Sequence, residues 1–311
     1  KEFHFFASKT LTTLNDSKKA VLMNFNQIAI NNTVEKLLAG KDYRQEIINA
    51  INVEFLDFAL EFFKQILNAK MNDKNINLAW YKKNFINNNE IKPDDAAIFA
   101  GMNKKTISNI YGCATKELMI NVANSNVDYL ESILNSLENE SENIGISIKI
   151  AYKNISVELN LSESLLVINA LATKKIALRG GAWSSIGKRV EKPLMLALCQ
   201  KCGVPKEFIN AEIFKKNGEL DFDREVDFRL LSRDKNKIYR VEVKLMGKGN
   251  PESADAVIAR DTNIFIADTL STQNKNQLKA LNIEFLELKN NPNSLLNFSQ
   301  ILKRLDIPTS K

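Results

Sequence analysis

Apolar residues in the first half of the chain recur at the spacing of an α-helix. Residues 43–70 place them three and four positions apart, which is the pattern of a helix with one face on a core. The apolar positions of this stretch are Ile47, Ile48, Ile51, Phe55, Phe58, Ala59, Phe62, Phe63, Ile66 and Leu67. We therefore predict helices up to about Leu137 and interpret the aromatic stripe as core rather than as a ligand-binding surface.

Strand-like alternation begins where this helical pattern stops. Segments 145–152 and 155–161 each alternate apolar with polar residues and are separated by two polar residues, which predicts a β-hairpin. Ser162 then has the position of a cap for a following helix. The hairpin marks a change from helical to mixed patterning, so we place a domain boundary near Asn143.

Helices and strands alternate through the rest of the chain. The predicted order is a loop at 179–185, a helix at 186–202 that Pro193 should kink or divide, strands at 225–231 and 238–246, a turn at 247–251, a short helix at 252–260, a strand at 262–267, a helix at 273–281 and a strand at 283–288. This order is typical of an α/β sheet with helices packed on it. Because 311 residues are long for one core, we expect an N-terminal all-α domain (1–142) and a mixed α/β domain (143–311).

The strands at 225–231 and 238–246 alternate charged with apolar residues, as half-buried strands do. The residues of the charged face are Glu225, Asp227 and Arg229 in the first strand and Arg240, Glu242 and Lys244 in the second. The link between the strands is polar and turn-like, which predicts a second hairpin.

The pairing of this hairpin follows if Leu231 and Ile238 close the loop. Asp227 then lies opposite Glu242, and directly opposed like charges, about 5 Å apart at Cβ, are destabilising. Two facing carboxylates require a cation, and Mg²⁺ is suited because it takes hard oxygen ligands and needs only one or two carboxylates. With Lys244 on the same face, the pattern indicates a site that attacks a phosphodiester.

Composition changes this picture little. Apolar (44%) and charged (26%) contents are typical of a globular protein, and the net charge of +6 permits a polyanionic partner without requiring one. The sequence contains neither a membrane-length apolar run nor a signal peptide, so we expect a cytoplasmic protein with no membrane partner. One histidine, His4, argues against a histidine-based triad or a histidine–metal enzyme.

Cys199 and Cys202 form a CxxC pair. A zinc site would need further ligands, and a redox pair would need a strand before it and a helix start after it. Here the pair ends a helical stretch. We therefore interpret it as packing at a helix end in a reducing cytosol.

Residues 94–112 resemble a helix-turn-helix. Ala97 is small where two helices would cross, Gly101 would begin the turn, Thr106 would cap the second helix, and Ile107 and Ile110 would anchor it. In such motifs the second helix enters the major groove of DNA. The residues of this helix expected to contact DNA are Lys104, Lys105, Thr106, Ser108 and Asn109. An ordinary helical corner has the same pattern.

Glu191 lies on the helix upstream of the charged hairpin, beside Lys188 and Arg189. One interpretation is a further acidic residue for the same site. The alternative is an ion-pair partner, three residues from a lysine, on a solvated helix face.

The segment from about Gly187 to Asp268 resembles the PD-(D/E)xK nucleases. The matching residues are Asp227 and the Glu242-Val-Lys244 triplet, with Val226 where the name-giving proline would be. Segments 182–193 and 240–251 look like the CfrBI-type type II restriction endonucleases. The resemblance implies a restriction-endonuclease-like mixed sheet flanked by helices, an enzyme that makes sequence-specific double-strand cuts in DNA, and an N-terminal helical domain that takes part in DNA recognition.

The resemblance also implies a role for each residue of the charged hairpin. Asp227 and Glu242 would bind Mg²⁺ together with the Val243 carbonyl, and the metal would polarise the scissile phosphate and lower the pKa of a bound water. Lys244 would hydrogen-bond that water and the phosphate. Glu191 is the candidate for an additional ligand, and Glu225 is its rival for that role.

Other polar residues of the mixed domain are expected to support catalysis or contact DNA. Glu225 falls opposite Lys244 and would neutralise it, while Arg229 and Arg240 oppose each other and would face phosphates. The expected DNA contacts here are Lys188, Arg189, Arg229, Arg240, Lys248 and Asn250. Cleavage of both strands at a palindrome favours a homodimer. A restriction enzyme also implies a cognate DNA methyltransferase in the same system, without direct contact.

Other interpretations account for parts of this pattern. A DNA-binding regulator that works through the helix-turn-helix would bind its operator without a divalent metal. A repair or recombination nuclease of the same fold would cut without sequence specificity or prefer branched DNA. A charged hairpin face that is merely solvated would form no site at all.

Overall fold

The computed structural model describes residues 2–72, 76–140, 147–152, 155–210, 228–245 and 262–310, with side chains for all of these except 2–19, 137–140, 152, 155 and 182–185. The chain forms two compact units. One contains Lys1–Val53 and Gly181–Lys311, and the other contains Glu54–Gly180.

Helices fill the N-terminal part of the chain and recur between the later strands. Their bounds are α1 (Glu2–Leu38), α2 (Arg44–Met71), α3 (Leu78–Tyr81), α4 (Pro93–Phe99), α5 (Lys104–Tyr111), α6 (Lys116–Glu140), α7 (Leu161–Lys201), α8 (Thr272–Ala280) and α9 (Ser294–Arg304). A π-helical segment (Lys82–Ile86) continues α3, and a 3₁₀ turn (Lys206–Phe208) follows α7. The helical N-terminal region is confirmed.

The strands form two sheets. β1 (Ile148–Tyr152) and β2 (Ile155–Leu159) pair antiparallel in the first predicted hairpin. β3 (Ile209–Asn210), β4 (Phe228–Leu231), β5 (Ile238–Lys244), β6 (Ile264–Ala267) and β7 (Glu284–Glu287) form a five-stranded sheet in that order. β3, β4 and β5 are antiparallel neighbours, whereas β5, β6 and β7 run parallel. The predicted mixed α/β sheet is confirmed, and the sequence patterns did not indicate β3 or α9.

β6 is the most deeply buried strand that the structure describes in this sheet. All four of its residues are buried, as the near-continuous apolar run Ile264-Phe-Ile-Ala267 predicts for a parallel strand with both faces covered. Phe265 and Ala267 form a cluster with Leu270 and with Leu278 of α8, which therefore covers one face. The capping box of Ser271 and Asn274 starts α8.

The unit formed by Glu54–Gly180 has an aromatic core. The rings of Phe62, Phe85 and Phe99 lie 4.7–5.2 Å apart between centroids and pack with buried residues of α6 and the first part of α7. The prediction that the aromatic stripe of residues 43–70 is core is confirmed for most of its positions. Ile48 is an exception, since it is exposed.

The predicted loop at 179–185 is wrong, because residues 161–201 form the single helix α7. Gly180 and Gly181 lie inside this helix, and Pro193 does not divide it. Glycine costs a helix about 1 kcal/mol relative to alanine and proline about 3 kcal/mol. Burial on both sides of the interruption offsets these local costs. The buried residues include Val167, Ala170, Val190, Leu194 and Leu198.

Two predicted helix caps are also wrong by a few residues. Asn160, not Ser162, starts α7: its side chain accepts from the backbone N–H of Glu163, whose carboxylate accepts from the backbone N–H of Asn160. Asn103, not Thr106, caps α5, because its side chain accepts from the backbone N–H of Thr106. Asparagine caps a helix about as well as serine does. Cap preference alone therefore could not locate the first residue of either helix.

The limits of the two compact units do not fall near Asn143, where the sequence predicted a domain boundary. Their limits fall inside α2 and α7, so α1 and the start of α2 belong with the five-stranded sheet. Contacts between the α1–α2 corner and the end of the sheet explain this grouping, such as the hydrogen bond from Asn290 N–H to the Gly40 carbonyl. The functional division, with DNA recognition by 1–142 and catalysis by 143–311, stays a prediction.

Replacing Gly101 with alanine should destabilise the unit that contains it. Gly101 has a φ of +86°, and a Cβ atom there would lie 2.2 Å from Nδ2 of Asn169. The left-handed conformation alone costs a non-glycine residue about 1–2 kcal/mol, and the displacement of Asn169 adds to this. Thermal unfolding of Gly101→Ala measures the total. Gly112→Ala is the matched control, because Gly112 has a φ of +73° with nothing within 4 Å. Equal losses in both variants would contradict a contribution from Asn169.

Candidate active site

The pairing of β4 with β5 is the predicted one. Leu231 pairs with Ile238 at the loop, Arg229 with Arg240, and Phe228 with Val241. The register deduced from the loop is therefore confirmed for the four pairs that the structure describes. Four predicted site residues lie outside the described residues, and their placement stays a prediction: Glu225, Asp227, Lys248 and Asn250.

Glu242 is a buried carboxylate near the end of β5. It is 1% exposed, its Oε1 lies 3.3 Å from Nζ of Lys244, and its Oε2 accepts a 3.4 Å hydrogen bond from Oγ1 of Thr262. Removing a carboxylate from water is costly unless cations or hydrogen-bond donors compensate. The interpretation of this face as a merely solvated surface is therefore wrong at Glu242.

Lys244 extends from the same face of β5 toward solvent. Its side chain is 26% exposed, compared with 2% for that of Glu242. The ammonium group is thus held beside a buried carboxylate while it remains accessible from outside. A lysine in this position can meet a phosphate that approaches the surface and can also neutralise Glu242.

Arg229 and Arg240 bring two positive charges together on the antiparallel pair. They are directly opposed and both half-buried. The backbone of Arg240 is fixed by Asn263, whose side chain accepts from the Arg240 N–H at 2.8 Å and whose N–H donates to the Arg240 carbonyl at 2.9 Å. Two arginines therefore lie directly across from each other on neighbouring strands.

Glu191 is buried, so it does not lie on a solvated helix face as one interpretation expected. A Cβ atom at Gly187 would lie 3.9 Å from Oε1 of Glu191 and 3.9 Å from Cβ of Leu245. The structure therefore brings Glu191 to the end of β5. Gly187 thus places Glu191 near Leu245, the residue that follows β5 in the chain. Lys188 is exposed and Arg189 is half-buried.

The described residues contain no group of three or more histidine, cysteine, aspartate or glutamate side chains placed to hold a metal ion. They do provide Glu242, a buried hard-oxygen donor, with the Val243 carbonyl next to it in the chain. This donor chemistry suits Mg²⁺. A complete ligand set requires Asp227, which stays a prediction.

Asp268 is a buried acidic residue that the sequence patterns did not single out as part of the site. It directly follows β6, and its Oδ2 accepts a 2.6 Å hydrogen bond from the hydroxyl of Tyr43. Burial, and then the charge of Asp268, raise the pKa of the Tyr43 hydroxyl well above its usual value. A polar residue directly after an apolar strand was the available signal, because the carboxyl ends of parallel strands are where α/β sheets place functional groups.

The candidate helix-turn-helix consists of α4 and α5 joined by a four-residue turn. Ala97 and Ile107 share a buried cluster with Met119 of α6, whereas Ile110 is 63% exposed and does not anchor the helix as predicted. The predicted DNA contacts on α5 divide into exposed residues, Lys104, Lys105 and Asn109, and half-buried residues, Thr106 and Ser108. Their role in DNA binding stays a prediction.

The CxxC pair is buried, which confirms its interpretation as packing at the end of α7. Cys202 accepts a hydrogen bond from Oγ of Ser299, and burial, followed by the effect of Cys202, raises the pKa of Cys199 to about 12. Because the thiolate is the reactive form, Cys199 should be inert at neutral pH.

A thiol reagent such as DTNB should therefore label the native protein once, at the exposed Cys113. The denatured protein should react at Cys113, Cys199 and Cys202. Cys113→Ser is the control, and it should remove the native signal. Rapid native labelling of Cys199, or a disulfide between Cys199 and Cys202 in the purified protein, would contradict this assignment.

The mixed five-stranded sheet, with Glu242 and Lys244 on the strand after the antiparallel turn, has the architecture of an α/β nuclease. The comparison with family models finds the CfrBI restriction endonuclease family over residues 27–275. The chain therefore belongs to the CfrBI restriction endonuclease family. The comparisons with curated proteins and with solved structures give no match. Family membership identifies a restriction endonuclease, which is a nuclease that binds DNA. No helix in the described part of the chain is long and apolar enough to cross a membrane.

Proposed function

We propose that this protein is a Mg²⁺-dependent type II restriction endonuclease that makes sequence-specific double-strand cuts in DNA. The observation that carries the proposal is the buried carboxylate of Glu242 beside Lys244, on a strand whose pairing with β4 follows the predicted register. This register is the basis for pairing Asp227 with Glu242 as metal ligands. The family match supports the nuclease class.

The residues of the site fit a divalent metal. Asp227 and Glu242 would bind Mg²⁺ with their carboxylates, and Val243 with its carbonyl. When bound, Mg²⁺ polarises the scissile phosphate and lowers the pKa of a coordinated water. Glu191, buried near the end of β5, is a further candidate carboxylate for this site.

Lys244 has two roles in the proposed reaction. Its ammonium group hydrogen-bonds the attacking water and so fixes the direction of attack on phosphorus. It also donates to a non-bridging phosphate oxygen, where negative charge increases in the transition state. Its position, with the Nζ atom 3.3 Å from Glu242 and the side chain partly exposed, keeps the charge close to the carboxylate and accessible to DNA.

DNA would be held by the cationic residues near the same hairpin. Arg229 and Arg240 are suited to a phosphate between them, because guanidinium groups bind phosphate in a bidentate manner. Lys188 and Arg189 of α7 are further candidates for DNA contact, and Lys248 and Asn250 follow β5 in the chain. The helix-turn-helix at 94–112 is proposed for sequence recognition. A homodimer would cut both strands of a palindrome, and a methyltransferase of the same cytoplasmic system would protect host DNA.

Digestion of unmethylated phage DNA tests this proposal. The purified protein with Mg²⁺ should give discrete bands, and sequencing of the fragment ends should show one recurring sequence. The same reaction with EDTA is the control and should give no cleavage. A smear would indicate a nonspecific nuclease, and a preference for branched DNA would indicate a recombination enzyme. Metal-independent binding without cutting would favour a DNA-binding regulator.

A further inference from the structure

Asp268 connects three separate segments at the carboxyl end of the sheet. Its backbone N–H lies 3.4 Å from the carbonyl of Lys244 at the end of β5, and its carbonyl accepts a 2.9 Å hydrogen bond from Lys289 just after β7. Its carboxylate accepts the hydroxyl of Tyr43 at the start of α2. A single buried residue therefore fixes the ends of two strands relative to a helix.

Tyr43 belongs to a corner that is tightly attached to this end of the sheet. The Tyr43 side chain is fully buried. Two further hydrogen bonds attach the α1–α2 corner to the segment after β7: Asn290 N–H donates to the Gly40 carbonyl, and Oγ of Ser294 donates to the Leu38 carbonyl. Of these three hydrogen bonds, the Tyr43–Asp268 bond is the one made at the end of β6, the strand that pairs with β5.

The position of Lys244 depends on this arrangement. Lys244 pairs with Ala267 in the parallel ladder, and Asp268 directly follows Ala267, the last residue of β6. Asp268 holds this end of the ladder through its backbone contact with the Lys244 carbonyl and its side-chain hydrogen bond with Tyr43. Loss of the Tyr43 hydrogen bond would release the end of β6, and with it the carbonyl contact that holds Lys244.

We propose that Tyr43 and Asp268 are positioning residues that fix the end of β5 and thereby place Lys244 for DNA cleavage. The proposal rests on the proposed nuclease function of Lys244. Asp268 acts through its backbone contacts and through an acceptor oxygen for Tyr43, so its negative charge is not required.

Three variants separate positioning from catalysis. Asp268→Ala removes the acceptor and should lower the single-turnover cleavage rate at saturating Mg²⁺ by up to about 100-fold, as small misplacements of reacting groups do. Tyr43→Phe should lower the rate in the same direction. Asp268→Asn keeps an acceptor oxygen for Tyr43 and should retain most of the wild-type rate. DNA affinity measured with Ca²⁺ should be similar in all three variants.

Tyr81→Phe is the matched control for loss of a buried hydroxyl. Tyr81 is also fully buried, and its hydroxyl donates to the Phe99 carbonyl at 2.8 Å in the other compact unit. This variant should lower the melting temperature without changing the cleavage rate. Rates equal to wild type in both Tyr43→Phe and Asp268→Ala would reduce the pair to a stabilising role and overturn the proposal. Complete loss of cleavage in Asp268→Asn would also overturn it, because the charge itself would then be needed.

Hydrogen exchange gives a second readout that does not depend on activity. In Asp268→Ala and Tyr43→Phe, amides in peptides covering β5 should exchange faster, while Asp268→Asn and Tyr81→Phe should leave them protected. Unchanged exchange of β5 in Asp268→Ala would refute the positioning of this strand. Faster exchange in a protein that does not cleave any DNA would instead contradict the proposed function and leave the structural link between Asp268 and β5 intact.

Discussion

Replacing Glu242 with glutamine should abolish DNA cleavage without abolishing DNA binding. The substitution keeps the size of the side chain and an acceptor for Thr262, and it removes the charge that would bind Mg²⁺. A catalytic metal contributes several kcal/mol of transition-state stabilisation, so the single-turnover rate should fall on the order of 10³-fold. The rate is measured at saturating Mg²⁺, and DNA affinity is measured separately with Ca²⁺.

Glu158→Gln is the matched control for this substitution. Glu158 is an exposed strand glutamate in β2, away from the charged hairpin in the chain. Glu158→Gln makes the same chemical change, and this variant should cleave DNA at the wild-type rate. A Glu242→Gln protein that cuts at a rate near wild type would show that Glu242 is not a metal ligand, whatever the identity of the enzyme.

Lys244→Met should also suppress cleavage, through a different step. The variant keeps much of the aliphatic side chain and loses the ammonium group beside Glu242. Removing one preorganised donor to developing charge costs on the order of 10² to 10³-fold in rate. Metal binding should persist, because the carboxylate ligands remain and lose a competing cation. Lys244→Met should therefore lose cleavage and retain metal binding, whereas Glu242→Gln should lose both.

Lys275→Met is the control for the loss of a lysine from an ion pair. Lys275 of α8 lies 2.6 Å from Glu287 of β7, so this variant breaks a lysine–glutamate pair of the same unit. Ion pairs that are partly exposed contribute about 0–1 kcal/mol, and the cleavage rate should not change. A similar loss of rate in both lysine variants would point to general destabilisation rather than to a role of Lys244 in the reaction.

The charged hairpin was predictable because it depends on local information. Strand alternation assigns Glu242 and Lys244 to one face, and the length of the polar link fixes the pairing of Arg229 with Arg240. The same alternation predicted a half-buried face. It did not predict that Glu242 would be almost completely buried, because burial depends on residues such as Thr262 that pack against it.

Long-range contacts account for most of what the sequence did not reveal. Tyr43 and Asp268 are 225 residues apart, and neither lies in a motif that indicates the other. The continuity of α7 was missed for a related reason. Gly180, Gly181 and Pro193 disfavour helix locally, and the buried residues on both sides outweigh those penalties only once the chain has folded.

The sequence prediction for α4, α5 and the turn between them was partly correct. Gly101 was expected at the start of the turn, and its positive φ confirms that expectation. Ile110 was expected in the core and is exposed, because α5 buries Ile107 against α6 and turns Ile110 outward. The spacing of apolar residues therefore identified α5 and one of its core contacts, Ile107, but wrongly predicted Ile110 as the other.

A calorimetric titration of a divalent cation tests the central claim most directly. Ca²⁺ can be titrated into complexes of uncut DNA with the wild-type protein, with Asp227→Asn and with Glu242→Gln. We predict a saturable site in the wild-type complex that both variants weaken by at least about tenfold, corresponding to about 1.4 kcal/mol. Wild-type cation affinity in both variants would contradict a metal centre formed by Asp227 and Glu242 across the β4–β5 pair.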